Sequence, residues 1–182
     1  EGDADDWYQH LVGKGYALAT IGRDVKRARQ FFIAAMQRGL VDRNPFSKLK
    51  AHGANNRERD FFVTCETAQL IIEACPDAQW RLIVALSRYG GIRCPSELLA
   101  LTWADINWER SRMRIRSSKT ECHDGKGSRW VPIFPELRPY LDDCRELAQP
   151  GDEYVISRYR ENDVNLRTQL LRIIERAGVA AW

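Results

Sequence analysis

The chain has 182 residues, 44% of them hydrophobic, and carries 28 Lys and Arg against 25 Asp and Glu for a formal charge of +3, enough for one comfortable domain or two small ones with a buried core. No apolar run approaches the roughly 20 residues that cross a bilayer, and the opening Glu1-Gly2-Asp3-Ala4-Asp5-Asp6 has neither the basic nor the apolar part of a leader. Five scattered cysteines without a Cys-x-x-Cys pair favour neither a disulfide framework nor a zinc site, so the expectation is a soluble cytoplasmic protein with no membrane partner and no metal.

Charge is unevenly spread. Residues 7–50 hold nine Lys and Arg against Asp24 and Asp42 alone, which calls for an anionic partner. A short helix over 6–12 is closed by Gly13-Lys14-Gly15. Ile21, Val25, Ala28, Phe32 and Ala35 then recur at helical spacing, predicting a helix over 20–38 that stops at Gly39. Arg23, Lys26, Arg27 and Arg29 lie largely off that apolar stripe; such charges are as often a solvated face as a binding face. Periodicity then lapses, and 51–60 reads as a polar linker between a helical domain over 1–50 and a second domain over 61–182.

In the second region Thr64 is placed to cap a helix running to near Pro76, with Glu66 in its first turn. A helix over 78–89 carries Trp80, Leu82, Ile83, Val84 and Leu86 nearly all round, which implies burial, and Gly90-Gly91 ends it. Pro95 suits the start of a short helix over 96–101. The period then changes to two: Met113, Ile115 and Ser117 alternate with Arg112, Arg114 and Arg116, and Trp130-Val131-Pro132-Ile133 supplies a second strand across a turn at 124–127. Helices return over 135–147 and 163–177, with Gly178 as the stop. The fold class predicted is mainly α with a small antiparallel β-sheet, α+β.

Arg93 is the most informative residue. It stands just ahead of the predicted 96–101 helix, whose first N–H groups and dipole would favour a phosphate, and Glu97 is within reach to hold its guanidinium in one orientation. Taken alone, an arginine–glutamate pair at a helix start is more often structural.

The wider context shifts that balance. Gly91-Ile92-Arg93-Cys94-Pro95-Ser96-Glu97-Leu98 through Leu101-Thr102-Trp103-Ala104-Asp105-Ile106 resembles the first arginine box of the tyrosine recombinase (phage integrase) family. Downstream, Ser118-Lys119-Thr120 followed by Arg129-Trp130-Val131-Pro132-Ile133 resembles the β-hairpin whose lysine enters that family's active site. Upstream, Ala28-Arg29-Gln30-Phe31-Phe32 and Arg38-Gly39-Leu40-Val41-Asp42-Arg43-Asn44-Pro45-Phe46 resemble its core-binding helical domain. The resemblance covers nearly the whole chain. It implies a SAM-like helical core-binding domain followed by the N-terminal two-thirds of an integrase-type catalytic domain.

The implied chemistry is cleavage and rejoining of duplex DNA. A tyrosine attacks a phosphodiester, forming a 3′-phosphotyrosyl bond and releasing a 5′-hydroxyl, with no cofactor, no metal and no small-molecule substrate. Arg93 would stabilise charge on the phosphate, Lys119 would protonate the leaving oxygen, and Glu97 would support Arg93. The hairpin tip, Cys122-His123-Asp124-Gly125-Lys126-Gly127, is longer than the family pattern, which leaves Lys126 as a second candidate for the lysine. Double-stranded DNA would be gripped by Arg23, Lys26, Arg27 and Arg29, and more weakly by Arg57, Arg59 and Arg116. The intact parent would act as a tetramer on two duplexes, associated with the nucleoid when bound.

The family's His-x-x-Arg box, its further His or Trp and its nucleophilic tyrosine find no match after Gly178, and Tyr8, Tyr16, Tyr89, Tyr140, Tyr154 and Tyr159 all come earlier. With Glu1 in place of Met and no polar tail after Trp182, the chain is expected to be a truncated piece, inactive alone, of a parent that is the enzyme. Other readings stay open: a non-catalytic DNA-binding protein on the same scaffold, a type IB topoisomerase-like enzyme, or a helical interaction module with no nucleic-acid role.

Overall fold

The computed structural model describes residues 2–51, 61–117, 127–161 and 164–180, and the chain divides into two compact units, Glu1–Phe61 and Phe62–Trp182. The first unit is built on α1 (Gly2–Gly13) and α2 (Leu18–Gln37). Helix α1 starts ahead of the predicted residue 6, and Asp3 and Asp5 in its first turn complement the helix dipole there. Helix α2 ends where expected: Gly39 takes φ 68 and donates to the Met36 carbonyl, while Leu40 N donates to Ala35 O. Ala4, Ile21 and Val25 are buried between the helices. Phe46 packs on Trp7 and Phe32, with ring centroids 5.5 and 5.2 Å away.

In the second unit α3 (Cys65–Glu73) and α4 (Ala78–Arg88) pack together. Thr64 caps α3 as predicted, its hydroxyl oxygen accepting from Thr67 N. Asp77 caps α4 by accepting from Trp80 N at 2.9 Å. Helix α4 buries Trp80, Leu82, Ile83, Ala85 and Leu86, in keeping with its apolar girth. Strands β1 (Ile106–Asn107), β2 (Arg112–Arg116) and β3 (Ser128–Pro132) form an antiparallel sheet in that order. Met113 faces Ile106 on one side and Val131 on the other, and Ile115 faces Arg129. Helices α5 (Arg138–Glu146) and α6 (Leu166–Arg176) follow. The class is α+β, as expected.

Three local expectations need correction. Residues 96–101 are not a helix but successive turns over 94–100. The Arg93 carbonyl accepts from both Glu97 N and Leu98 N, and Leu101 N turns back to Leu98 O, so the i to i−4 ladder never propagates. The turns are instead anchored from beneath by buried Leu98 and Leu101, each contributing roughly 1.5–3 kcal/mol by burial. Strand β1 was not predicted, because two residues carry no readable period. Helix α5 starts at Arg138, not at residue 135, since Leu137 N and Arg138 N both fold back onto the Phe134 carbonyl.

The inner face of the sheet sends Met113, Ile115 and Val131 into the core that also holds Leu98, Leu101 and Ile156. Arg114 and Arg116 alternate outward on β2.

Candidate active site

The site is centred on Glu97, whose side chain is 2% exposed. A carboxylate so far out of water must be paired or become protonated, and Glu97 is paired several times over. Its Oε1 accepts from Arg93 Nη1 at 2.6 Å and from Arg129 Nη1 at 2.9 Å; its Oε2 accepts from the Arg93 backbone N–H at 3.1 Å and from Arg129 Nη2 at 2.8 Å. Hydrogen bonds from Arg129 above all hold the carboxyl down at about 2, against the upward push of burial, with the Arg93 backbone and the Ser117 hydroxyl adding to the effect.

Arg93 and Glu97 are therefore brought together, as their spacing suggested, but by a tight turn in place of a helix start. No helix dipole adds to the field at Arg93. Its side chain is 51% exposed and commits Nη1 to Glu97 and to the Ser117 hydroxyl, 2.9 Å away. Its Nε and Nη2 make no hydrogen bond to the described residues. That leaves an edge suited to an oxyanion such as phosphate.

Arg129 is a site residue that sequence reasoning quoted only as part of a motif. It faces Ile115 across the sheet, so it falls on the inner face. At that end of the sheet it meets Glu97 in place of core. The strand alternation was the available signal.

A second buried carboxylate, Asp105, is 1% exposed and lies under the outer face. It accepts from the Thr102 hydroxyl at 2.7 Å, from Arg114 at 3.1 and 3.2 Å, and from Arg116 at 2.9 Å. Arg116, predicted on DNA, is thus tethered while half-exposed. Beside this pair Arg112 stacks over Trp130 at 4.3 Å.

In the first unit Arg23, Lys26 and Arg27 are exposed on α2. Arg29 is differently placed: its guanidinium donates to Leu49 O at 2.6 Å and Phe46 O at 3.4 Å, tying the 44–49 segment to α2. Lys119, Lys126, Arg57 and Arg59 lie outside the described residues. The hairpin's feet are described, and Ser117 N donates to Gly127 O at 2.8 Å.

Of the tyrosines, Tyr89 and Tyr140 pack partly buried against the core. Tyr159 donates to Asp77 Oδ2 at 2.5 Å, and burial together with that carboxylate pushes its phenol up to about 12. An apolar cavity of about 610 Å³ lies among α3, α4 and α6, and neither Arg93 nor Glu97 lines it. Among the described residues no helix is long and apolar enough to cross a membrane, and no group of three His, Cys, Asp or Glu could hold a metal ion.

No family model matches the chain. It is 26% identical over 142 residues to a tyrosine recombinase of Thermosipho africanus, covering 77% of this chain and 48% of that protein. It is 25% identical over 164 residues to tyrosine recombinase XerC of Pediococcus pentosaceus, covering 87% and 51%. The chain thus spans about half the length of these curated relatives. Among solved structures, a lambda integrase dimer bound to a COC′ core site matches with a TM-score of 0.76 at 17% identity, covering 99% of this chain and 66% of that one. The arginine box, the hairpin and these relatives agree: the chain is similar in sequence to curated tyrosine recombinases and shares the fold of a solved integrase.

Proposed function

We propose that this chain is part of a site-specific recombinase: it grips duplex DNA and supplies the phosphate-activating half of a site that cleaves and rejoins strands through a 3′-phosphotyrosyl intermediate. One observation carries the reading. Buried Glu97 fixes Arg93 through Nη1 and, among the described residues, leaves its Nε and Nη2 uncommitted on a half-exposed side chain, the pre-aimed fork that a phosphodiester needs.

As the tyrosine oxygen adds to phosphorus, charge grows on the non-bridging oxygens and Arg93 stabilises it. The bond to the 5′ oxygen breaks, and Lys119 gives that oxygen a proton. Lys119 is two residues beyond Ser117 in the sequence; Lys126, one residue before Gly127, is the second candidate. Glu97 never contacts the DNA in this scheme. The bond energy is kept in the phosphotyrosine, so rejoining needs no nucleotide. None of the six tyrosines is assigned the attack; Tyr159 in particular is held neutral, the wrong direction for a nucleophile.

Arg23, Lys26 and Arg27 would contact phosphates, as would Arg57, Arg59 and Arg116, while Arg29 serves the chain's own carbonyls before any phosphate. The intact recombinase would assemble four protomers on two duplexes.

The test is duplex binding by this chain across about 50–200 mM salt. Strong salt dependence is expected, with Lys26→Ala weakening different sequences alike and reducing the slope by about 1. Weak, salt-insensitive binding would favour a helical interaction module. In an intact recombinase bearing this chain, Arg93→Ala should abolish cleavage and spare most binding; full cleavage would overturn the assignment.

A further inference from the structure

We infer that Arg129 is a positioning residue which, with Ser117, registers the lysine-bearing hairpin against Arg93. The inference rests on the functional reading above.

The two arginines on Glu97 are not equivalent. Arg129 meets the carboxylate end-on with both Nη atoms, at 2.9 and 2.8 Å, and Nη2 also reaches the Gly91 carbonyl at 3.4 Å. Its fork is committed to the protein. Among the described residues Arg93 commits only Nη1. One arginine therefore holds the carboxylate, and the other, held by it, faces the ligand.

The hairpin is pinned at both feet. On the β2 side buried Ser117 accepts from Arg93 Nη1 at 2.9 Å, and on the β3 side Arg129 grips Glu97. Ser117 N to Gly127 O at 2.8 Å closes the base between them. The described feet of the hairpin, Ser117 and Arg129, thus both lie beside the arginine box, and both candidate lysines fall between them in the sequence. In the proposed reaction Arg93 serves the non-bridging oxygens and the lysine serves the leaving oxygen of the same phosphorus. Those positions must hold to about 0.5 Å, and a misplacement of about 1 Å costs on the order of 100-fold in rate. The clamp fixes Arg93 and the described feet of the hairpin relative to one another, and only a planar guanidinium can make it.

The experiment uses nitrogen-15 NMR of arginine side chains in this chain, comparing Arg129→Lys, which keeps the charge and loses the fork, with Arg129→Ala and Ser117→Ala. Wild type should show distinct Arg93 Nη signals, because its two contacts hinder rotation. In Arg129→Lys these signals should broaden and merge while the melting temperature stays within a few degrees. In an intact recombinase the same variant should lose about 10- to 100-fold in kcat with KM for DNA unchanged. Unaltered Arg93 signals in both Arg129 variants, or an unchanged kcat in Arg129→Lys, would overturn the inference. Failure of the functional reading looks different: Arg93→Ala would then cleave normally, while Arg129→Lys still loosened the Arg93 signals.

Discussion

Glu97 ties its charge state to the stability of its unit. Its carboxyl is held at about 2, chiefly by Arg129, while in the unfolded chain it returns to about 4.5. A depressed carboxyl stabilises the fold fully above the unfolded value, and that share is lost as pH falls from about 4.5 through about 2. Urea unfolding at several pH values should show this loss in wild type, and Glu97→Gln should remove that part of the acid dependence. At neutral pH the same substitution leaves two arginines around a neutral amide. Removing one partner of a fully buried pair costs about 3–5 kcal/mol, and with both arginines 40–51% exposed the expected cost is about 2 kcal/mol. The Arg93–Glu97 pair was legible because four residues is within reach of either a helix or a turn. Arg129 is 32 residues from Glu97; meeting it requires the hairpin register, which the uncertain tip at 122–127 left open.

The elements that read correctly are those where a periodic pattern and a cap agree. Helix α2 has its stripe and Gly39, and α3 has Thr64. The 96–101 segment misled because proline followed by apolar residues describes any tight turn over a core as well as a helix start. Asp77 shows how much one cap can carry. Besides accepting from Trp80 N, it pairs with Arg158 at 3.1 Å and accepts from Tyr159. Asp77→Ala should therefore cost about 2 kcal/mol, the upper range for an N-cap. It should also let the Tyr159 phenol fall from about 12 toward 10. Ultraviolet difference titration reads the second effect, and an unmoved phenol would show that burial alone sets it.

Across the whole molecule, burial is lopsided. The first unit buries Ala4, Ile21 and Val25 among its described hydrophobic residues, whereas one continuous core runs through the second from Ile71 to Ile174. Amides of α1 and α2 should accordingly exchange with solvent faster than those of α4 by at least about 10-fold, as mass-resolved hydrogen exchange would show. Equal protection would mean that the first unit draws stability from contacts beyond its own small core. The division into a basic N-terminal part and a mixed second part was open to reading because charge and periodicity change near residue 50. The pairing of Arg129 with Glu97, and of Arg114 and Arg116 with Asp105, was not, since no local pattern announces a contact between distant strands and turns.

That pairing recurs. Glu97 lies beneath Arg93 and Arg129, and Asp105 beneath Arg114 and Arg116. Each couple leaves one net positive charge fixed in place by an anion that water scarcely reaches. Mobile ions can thin the field of such a surface but cannot displace its sources, because the countercharge is built into the interior. Raising ionic strength should therefore loosen a polyanion's grip while spectra of the free protein stay superimposable: the surface behaves as a rigid electrostatic mould, cast before any strand is laid in it.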